Sequence, residues 1–208
     1  MKLYVDSVDP AEISSCVAAS GTTGVATRAS LLGEAAGRTG KAPEDVLRAI
    51  CAVANGPVIV EVAAGADDRE AMLREARAFA GVGAGVVALL PATDAGLEVV
   101  RACAAEKIRT AIGGFRSPEH ALAAVRAGAS LLSAPVGLPG SGASDLIRKL
   151  VALLRTYGEA AEVVAGEIRM PTHVIDAALA GAHAAAVPAA VLRELPAESV
   201  RGAEAGRR

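Results

Sequence analysis

Ala180-Gly181-Ala182-His183-Ala184-Ala185-Ala186-Val187-Pro188 decides the fold once it is set beside two other stretches. These are Gly83-Ala84-Gly85-Val86-Val87-Ala88-Leu89-Leu90-Pro91 and Ala127-Gly128-Ala129-Ser130-Leu131-Leu132-Ser133-Ala134-Pro135. Each reads as the end of a helix, a glycine turn, a short apolar run and then a proline. An apolar run without polar alternation is a strand buried on both faces, as in a parallel sheet covered by helices. Working outward, comparable runs give eight strands, at 3–6, 24–26, 58–62, 86–90, 110–113, 131–134, 163–166 and 184–187. Their spacing of about 25 residues is that of a repeated strand–helix unit. Helix starts fall between them: Asp9-Pro10 and Ser117-Pro118-Glu119 place a capping residue before a proline. Thr93-Asp94 and Ala66-Asp67-Asp68 put acids where the helix dipole favours them. The expected architecture is a single-domain (β/α)8 TIM barrel of the α/β class over residues 1–195, with residues 196–208 a short disordered tail. A doubly wound open sheet is the runner-up. It would call for a phosphate-binding glycine turn, and Gly137-Leu138-Pro139-Gly140-Ser141-Gly142, after the sixth strand, reads instead as a flexible loop.

Composition narrows the function. The chain has 208 residues, 52% hydrophobic and only 2% aromatic, so Ala, Val and Leu must fill the core. A formal net charge of −2 without a long basic run argues against nucleic acid or an anionic membrane as a partner. Arg207 and Arg208 near the end read as solvated charges. Cys16, Cys51 and Cys103 are an odd set, widely spaced, each in an apolar helical pattern. They read as small buried hydrophobes in a reducing compartment, and no Cys-x-x-Cys suggests a metal. Met1-Lys2-Leu3-Tyr4-Val5-Asp6 is a strand rather than a signal sequence, and no apolar stretch is long enough to span a membrane. A cytoplasmic location is the expectation.

In such a barrel the chemistry sits at the carboxyl ends of the strands. The polar residues there are Asp6 after strand 1, Thr27 and Arg28 after strand 2, and Glu61 in strand 3. Thr93 follows strand 4, Arg116 follows strand 5, Ser133 lies in strand 6, and Glu167 and Arg169 follow strand 7. Glu61 interrupts Val58-Ile59-Val60-Glu61-Val62, where a carboxylate is costly unless it is paired or reaches a polar cavity. Asp6, Glu61 and Glu167 all belong to odd strands and are expected to share one layer. Crowded carboxylates raise one another's pKa unless a cation intervenes, and Arg28, Arg116 and Arg169 are the cations at hand. Acid/base work, a bound metal and a structural ion network all fit this pattern. The histidines are weaker candidates: His120 falls inside a helix, His183 precedes strand 8 at the other end, and His173 suits a helix surface.

The motifs Leu3-Tyr4-Val5-Asp6-Ser7, Gly24-Val25-Ala26-Thr27-Arg28-Ala29-Ser30 and Pro91-Ala92-Thr93-Asp94-Ala95-Gly96-Leu97 resemble those of the small bacterial transaldolases, the group that includes fructose-6-phosphate aldolase. Ala127-Gly128-Ala129, Ala134-Pro135 and Pro171-Thr172 extend the resemblance over nearly the whole chain. It implies a barrel in which a strand-4 lysine forms a Schiff base with a ketose or dihydroxyacetone. Here Val87-Ala88-Leu89-Leu90-Pro91-Ala92-Thr93 puts Leu89 at that lysine, and Lys2, Lys41, Lys107 and Lys149 all fall away from the carboxyl ends of strands. Further departures stand at Arg28 and Ala29 where the family has Asn-Pro, at Gly113 and Arg116 where it has Thr and Tyr, and at Pro139 where it has a basic residue. Glu167-Ile168-Arg169 replaces a phosphate-binding Ser followed by a basic residue. The resemblance carries over Asp6, the acid that aids carbon–carbon cleavage, and Glu61, which helps hold the catalytic water.

The expected function is therefore a transaldolase-like barrel without Schiff-base chemistry, an enzyme of the lyase, isomerase or cyclase kind in specialised metabolism. Asp6, Glu61 and Glu167 would be catalytic, and Thr27, Arg28, Arg116, Ser133 and Arg169 would bind a small anionic or carbonyl substrate. Neither cofactor nor metal is expected. The alternatives are a non-catalytic homologue that binds a ligand or partner, and a conventional aldolase. The resemblance also implies a ring of subunits. Because the C-terminal stretch Ala197-Glu198-Ser199-Val200-Arg201-Gly202-Ala203-Glu204-Ala205-Gly206 is short and glycine-broken, the expected homo-oligomer is smaller than the family's decamer.

Overall fold

Valine, alanine and leucine dominate the strands, and the strands are correspondingly short. In the computed structural model, which describes residues 1–114, 117–137 and 143–195, they are β1 (Lys2–Asp6), β2 (Val25–Thr27), β3 (Val58–Glu61), β4 (Val86–Pro91), β5 (Thr110–Gly113), β6 (Leu131–Pro135), β7 (Glu162–Gly166) and β8 (Ala184–Pro188). All neighbours pair in parallel, and β8 returns to β1 to close an eight-stranded barrel. The described helices are α1 (Pro10–Ser20), α2 (Ala29–Thr39), α3 (Pro43–Val53), α4 (Arg69–Ala80), α5 (Asp94–Ala105), α6 (Pro118–Ala127), α7 (Ala143–Tyr157), α8 (Pro171–Leu179) and α9 (Ala189–Glu194). The α/β class and the TIM-barrel fold are thus as the sequence indicates. Strand limits differ from the expected ones by at most one residue at either end, and those of β5 coincide. Two helices rather than one join β2 to β3, parted at Gly40. The tail 196–208, Arg116, and the loop residues 138–142 lie outside the described residues.

The three similar glycine-to-proline segments each deliver a helix into a strand. At Gly128 the backbone turns with φ +109°, and at Gly181 with φ +90°, conformations that a side chain would strain. Strand alternation then sorts side chains into two packing zones. Tyr4, Ile59, Val87, Ala111, Leu131, Val164 and Ala184 fill the barrel interior. The opposite faces carry residues such as Val5, Val60, Leu90, Ile112 and Leu132 against the helices. With so few aromatics, Tyr4 is the one large ring inside among the described residues; its edge fits because Gly24 has no side chain, a Cβ there lying 2.7 Å from the ring.

Capping residues set the helix entries. Asp9 accepts a hydrogen bond from the Ala11 amide at 2.9 Å and starts α1. Thr93 starts α5: its hydroxyl accepts from the Gly96 amide at 3.1 Å and donates to the Ala66 carbonyl at 2.9 Å, tying the β3–α4 and β4–α5 connections together. Both connections rise at the carboxyl end of the barrel. No described helix is long and apolar enough to cross a membrane.

Candidate active site

A cavity of about 1030 Å³ opens at the carboxyl ends of the strands, where barrel enzymes do their chemistry. A smaller hollow of about 430 Å³ lies at the amino ends, between Lys2, Tyr4, Arg109 and Glu162. The larger cavity is lined by Asp6, Thr27, Arg28, Glu61, Leu89, Ser133, Glu167 and Arg169, so every described residue given a catalytic or binding role from the sequence meets there, whereas Thr93 caps α5.

Asp6 ends β1 with its side chain 17% exposed. One carboxylate oxygen, Oδ2, stands 3.7 Å from an Arg28 guanidinium nitrogen. The other, Oδ1, is buried without a hydrogen-bond partner. Burial is the main force pushing the Asp6 carboxyl above its usual range; the Glu167 and Glu61 carboxylates add to it and the Arg28 guanidinium opposes it. Arg28 caps the start of α2 without a side-chain cap bond, leaving its guanidinium free to lean over the mouth.

Glu61 explains itself locally. It is the last residue of β3, in register with Leu89 of β4, and its Oε2 accepts a hydrogen bond from the Ala29 amide at 3.1 Å. A carboxylate at the first turn of α2 is favoured by the helix dipole, so the charge that breaks the apolar strand is partnered. Glu167 is placed differently from expectation. It lies one residue beyond β7, with φ +56°, and enters from the loop rather than sharing a strand layer with Asp6 and Glu61. Its Oε2 is 3.8 Å from an Arg169 guanidinium nitrogen. A non-glycine residue held in left-handed backbone is strained, and such strain gathers where a side chain must be aimed. Among the described residues, no group of three or more His, Cys, Asp or Glu side chains could hold a metal ion.

Leu89 stands mid-strand between Glu61 on β3 and Ala111 on β5. Its Cδ1 lies 3.2 Å from where a Cβ on Gly113 would be, so the isobutyl group leans across β5. Thr27 is only 3% exposed and its hydroxyl has no partner. Ser133 Oγ faces Gly166, 3.2 Å from where a Cβ there would be. Among the described residues, no lysine lines the cavity. Lys2 is at the far end, held by Glu162 at 2.7 Å, a bond that raises its pKa and keeps it protonated. His183 is there too, accepting from the Val163 amide at 2.9 Å.

Sequence reasoning passed over Pro91, Pro135 and Pro188, which line the mouth at equivalent strand ends. The signal was present, since each closes one of the three similar segments. It also passed over Ile59, Val164 and Ala186, which line the cavity; nothing in a continuous apolar run tells which residues face inward.

The family model described as Transaldolase/Fructose-6-phosphate aldolase matches residues 3–205. The chain belongs to this family. A protein named "Probable transaldolase" from Sorangium cellulosum (strain So ce56) is 37% identical over 198 residues, covering 94% of this chain and 89% of its own length. Another of the same name, from Rhodospirillum centenum (strain ATCC 51521 / SW), is 39% identical over 199 residues, covering 94% and 84%. Among solved structures, "Native KDPGal structure" superimposes with a TM-score of 0.60 at 17% identity, over 89% of this chain and 80% of that one, a likeness of fold. Within the transaldolase/fructose-6-phosphate aldolase family, then, this barrel carries a leucine in the middle of β4 and a mouth ringed by three carboxylates and two arginines among its described residues.

Proposed function

We propose that this transaldolase-family barrel is an enzyme that works by carboxylate acid/base chemistry without a Schiff base. The observation that carries the reading is the Asp6 carboxyl: raised pKa, one oxygen unpartnered, facing a cavity whose described lining contains no lysine. A carboxyl whose pKa moves toward neutrality is a better proton donor and acceptor there. The protonated form of Asp6 would give its proton to a substrate carbonyl oxygen while Glu167 takes one from the adjacent carbon, forming an enol. Glu61, fixed by the Ala29 amide, would orient a water or a substrate hydroxyl. Arg28 and Arg169 would hold the carbonyl or an anionic group, with Arg116, Thr27 and Ser133 completing the binding set. Such a site suits a lyase, isomerase or cyclase of specialised metabolism acting on a small molecule in the cytoplasm. We propose a homo-oligomer as well, supported by family membership and by the exposed apolar residues Met170, Ile175 and Leu179 on and beside α8.

Conventional aldolase chemistry is the second reading, favoured by the relatives' name of "Probable transaldolase". It requires a neutral amine in the cavity.

Carboxyl-carbon NMR titration of the full chain tests the proposal. Asp6 should titrate above the ordinary aspartate range, lower in Glu167→Gln and higher in Arg28→Ala. An Asp6 titrating at or below that range would remove the acid on which the proposal depends.

A further inference from the structure

The floor and the rim of the cavity differ in kind. The floor is Ala26, Ile59, Leu89, Val164 and Ala186, with Gly113 and Gly166 contributing no side chain. The arginines stand at the rim, with side chains 53% and 57% exposed for Arg28 and Arg169, while the carboxylates of Asp6, 17% exposed, and Glu61, in register with Leu89, border the floor. We infer that the site takes a substrate with an apolar body and a single carbonyl or singly charged oxyanion head, and not a polyhydroxylated sugar phosphate. This rests on reading the mouth as the active site.

Three observations point the same way. Leu89 lies across β5 because Gly113 leaves the space, so the centre of the floor is an isobutyl surface. A hydrocarbon or aryl group buried there leaves water favourably. A sugar carries a hydroxyl on nearly every carbon; Asp6, Glu61, Ser133 and Thr27 can partner some of them, whereas hydroxyls set against Ile59, Leu89, Val164 and Ala186 find no side-chain partner among the described residues. Each hydroxyl buried unpaired lowers affinity on the order of tenfold. The rim also disfavours a phosphate dianion. Among the described residues, Asp6, Glu61 and Glu167 face two arginines, and each of these already has a carboxylate near it, at 3.7 Å and 3.8 Å. One further negative charge shared between the guanidinium groups is accommodated more readily than two.

Isothermal titration calorimetry of the full chain at neutral pH tests this with phenylpyruvate, 3-phenylpropionate, pyruvate and fructose 6-phosphate. The aryl acids should bind at least tenfold tighter than both pyruvate and fructose 6-phosphate, with a negative heat-capacity change. Leu89→Asn should weaken the aryl acids about tenfold, and Arg109→Ala, in the hollow at the other end, should leave them unchanged. Fructose 6-phosphate binding as tightly as the aryl acids, aryl acids no tighter than pyruvate, or no aryl binding at millimolar concentration would each overturn the inference. So would a folded Leu89→Asn chain that binds them normally. The ranking on the unaltered chain decides even if that variant does not fold. Borohydride trapping judges the imine-free reading separately, so the two can fail independently.

Discussion

Asp6 shows what one residue gains and loses by its position. Its raised pKa means that the folded chain holds the proton more tightly than the unfolded chain does. Folding therefore takes up a proton between the two values, and stability falls as pH rises through that window, from about 4 upward. Asp6→Asn removes the buried charge, so it should unfold at a higher temperature than the parent at pH 7, with a smaller difference at pH 4. Thermal denaturation at the two pH values reads this directly, and an equal or reversed difference would contradict it. Asp6 and Glu61 were legible in the sequence because a charge at the end of an apolar strand has to be partnered or functional. Glu167 was legible only as a residue near strand 7. Its left-handed backbone, which brings it in from the loop, arises from local geometry that composition does not encode.

At the scale of the element, the Pro91-to-Gly96 turn shows how a motif becomes a packing constraint. Thr93 caps α5 and holds it against the end of β4 so closely that a Cβ on Gly96 would lie 2.0 Å from the Pro91 carbonyl oxygen. Alanine in a helix is ordinarily better than glycine by about 1 kcal/mol. Here the clash is with backbone and cannot be relieved by a rotamer change. Gly96→Ala is expected to cost roughly 2–3 kcal/mol, lowering the unfolding midpoint by about 5–10 °C in calorimetry. A neutral or stabilised variant would show that α5 is free to shift. The strands themselves could be read from Val/Ala/Leu runs bounded by glycine and proline. The split of the β2–β3 connection into α2 and α3 was harder to see, because Gly40 is one glycine among 22.

For the whole molecule, the alternation of strand and helix pointed to a covered parallel sheet; an open doubly wound sheet shares that alternation, and eight repeats without a phosphate-binding glycine turn favoured the closed barrel. Assembly is a separate matter. With Ile175 50% and Leu179 76% exposed on α8, light scattering should find an oligomer, smaller than a decamer; a monomer or a decamer would contradict this. How much of the site was legible comes down to the same geometry. A barrel directs strand ends to one place, so the ring of charged candidates could be gathered in advance, whereas the apolar floor depends on which alternate residues point inward. The central claim is that the family's barrel persists here around a leucine where an imine nucleophile would stand. Borohydride reduction in the presence of dihydroxyacetone or fructose 6-phosphate, followed by intact mass spectrometry, tests it most directly. The unaltered chain should show no added mass, and Leu89→Lys should gain the mass of one reduced adduct at residue 89; an adduct on any lysine of the unaltered chain would contradict the claim.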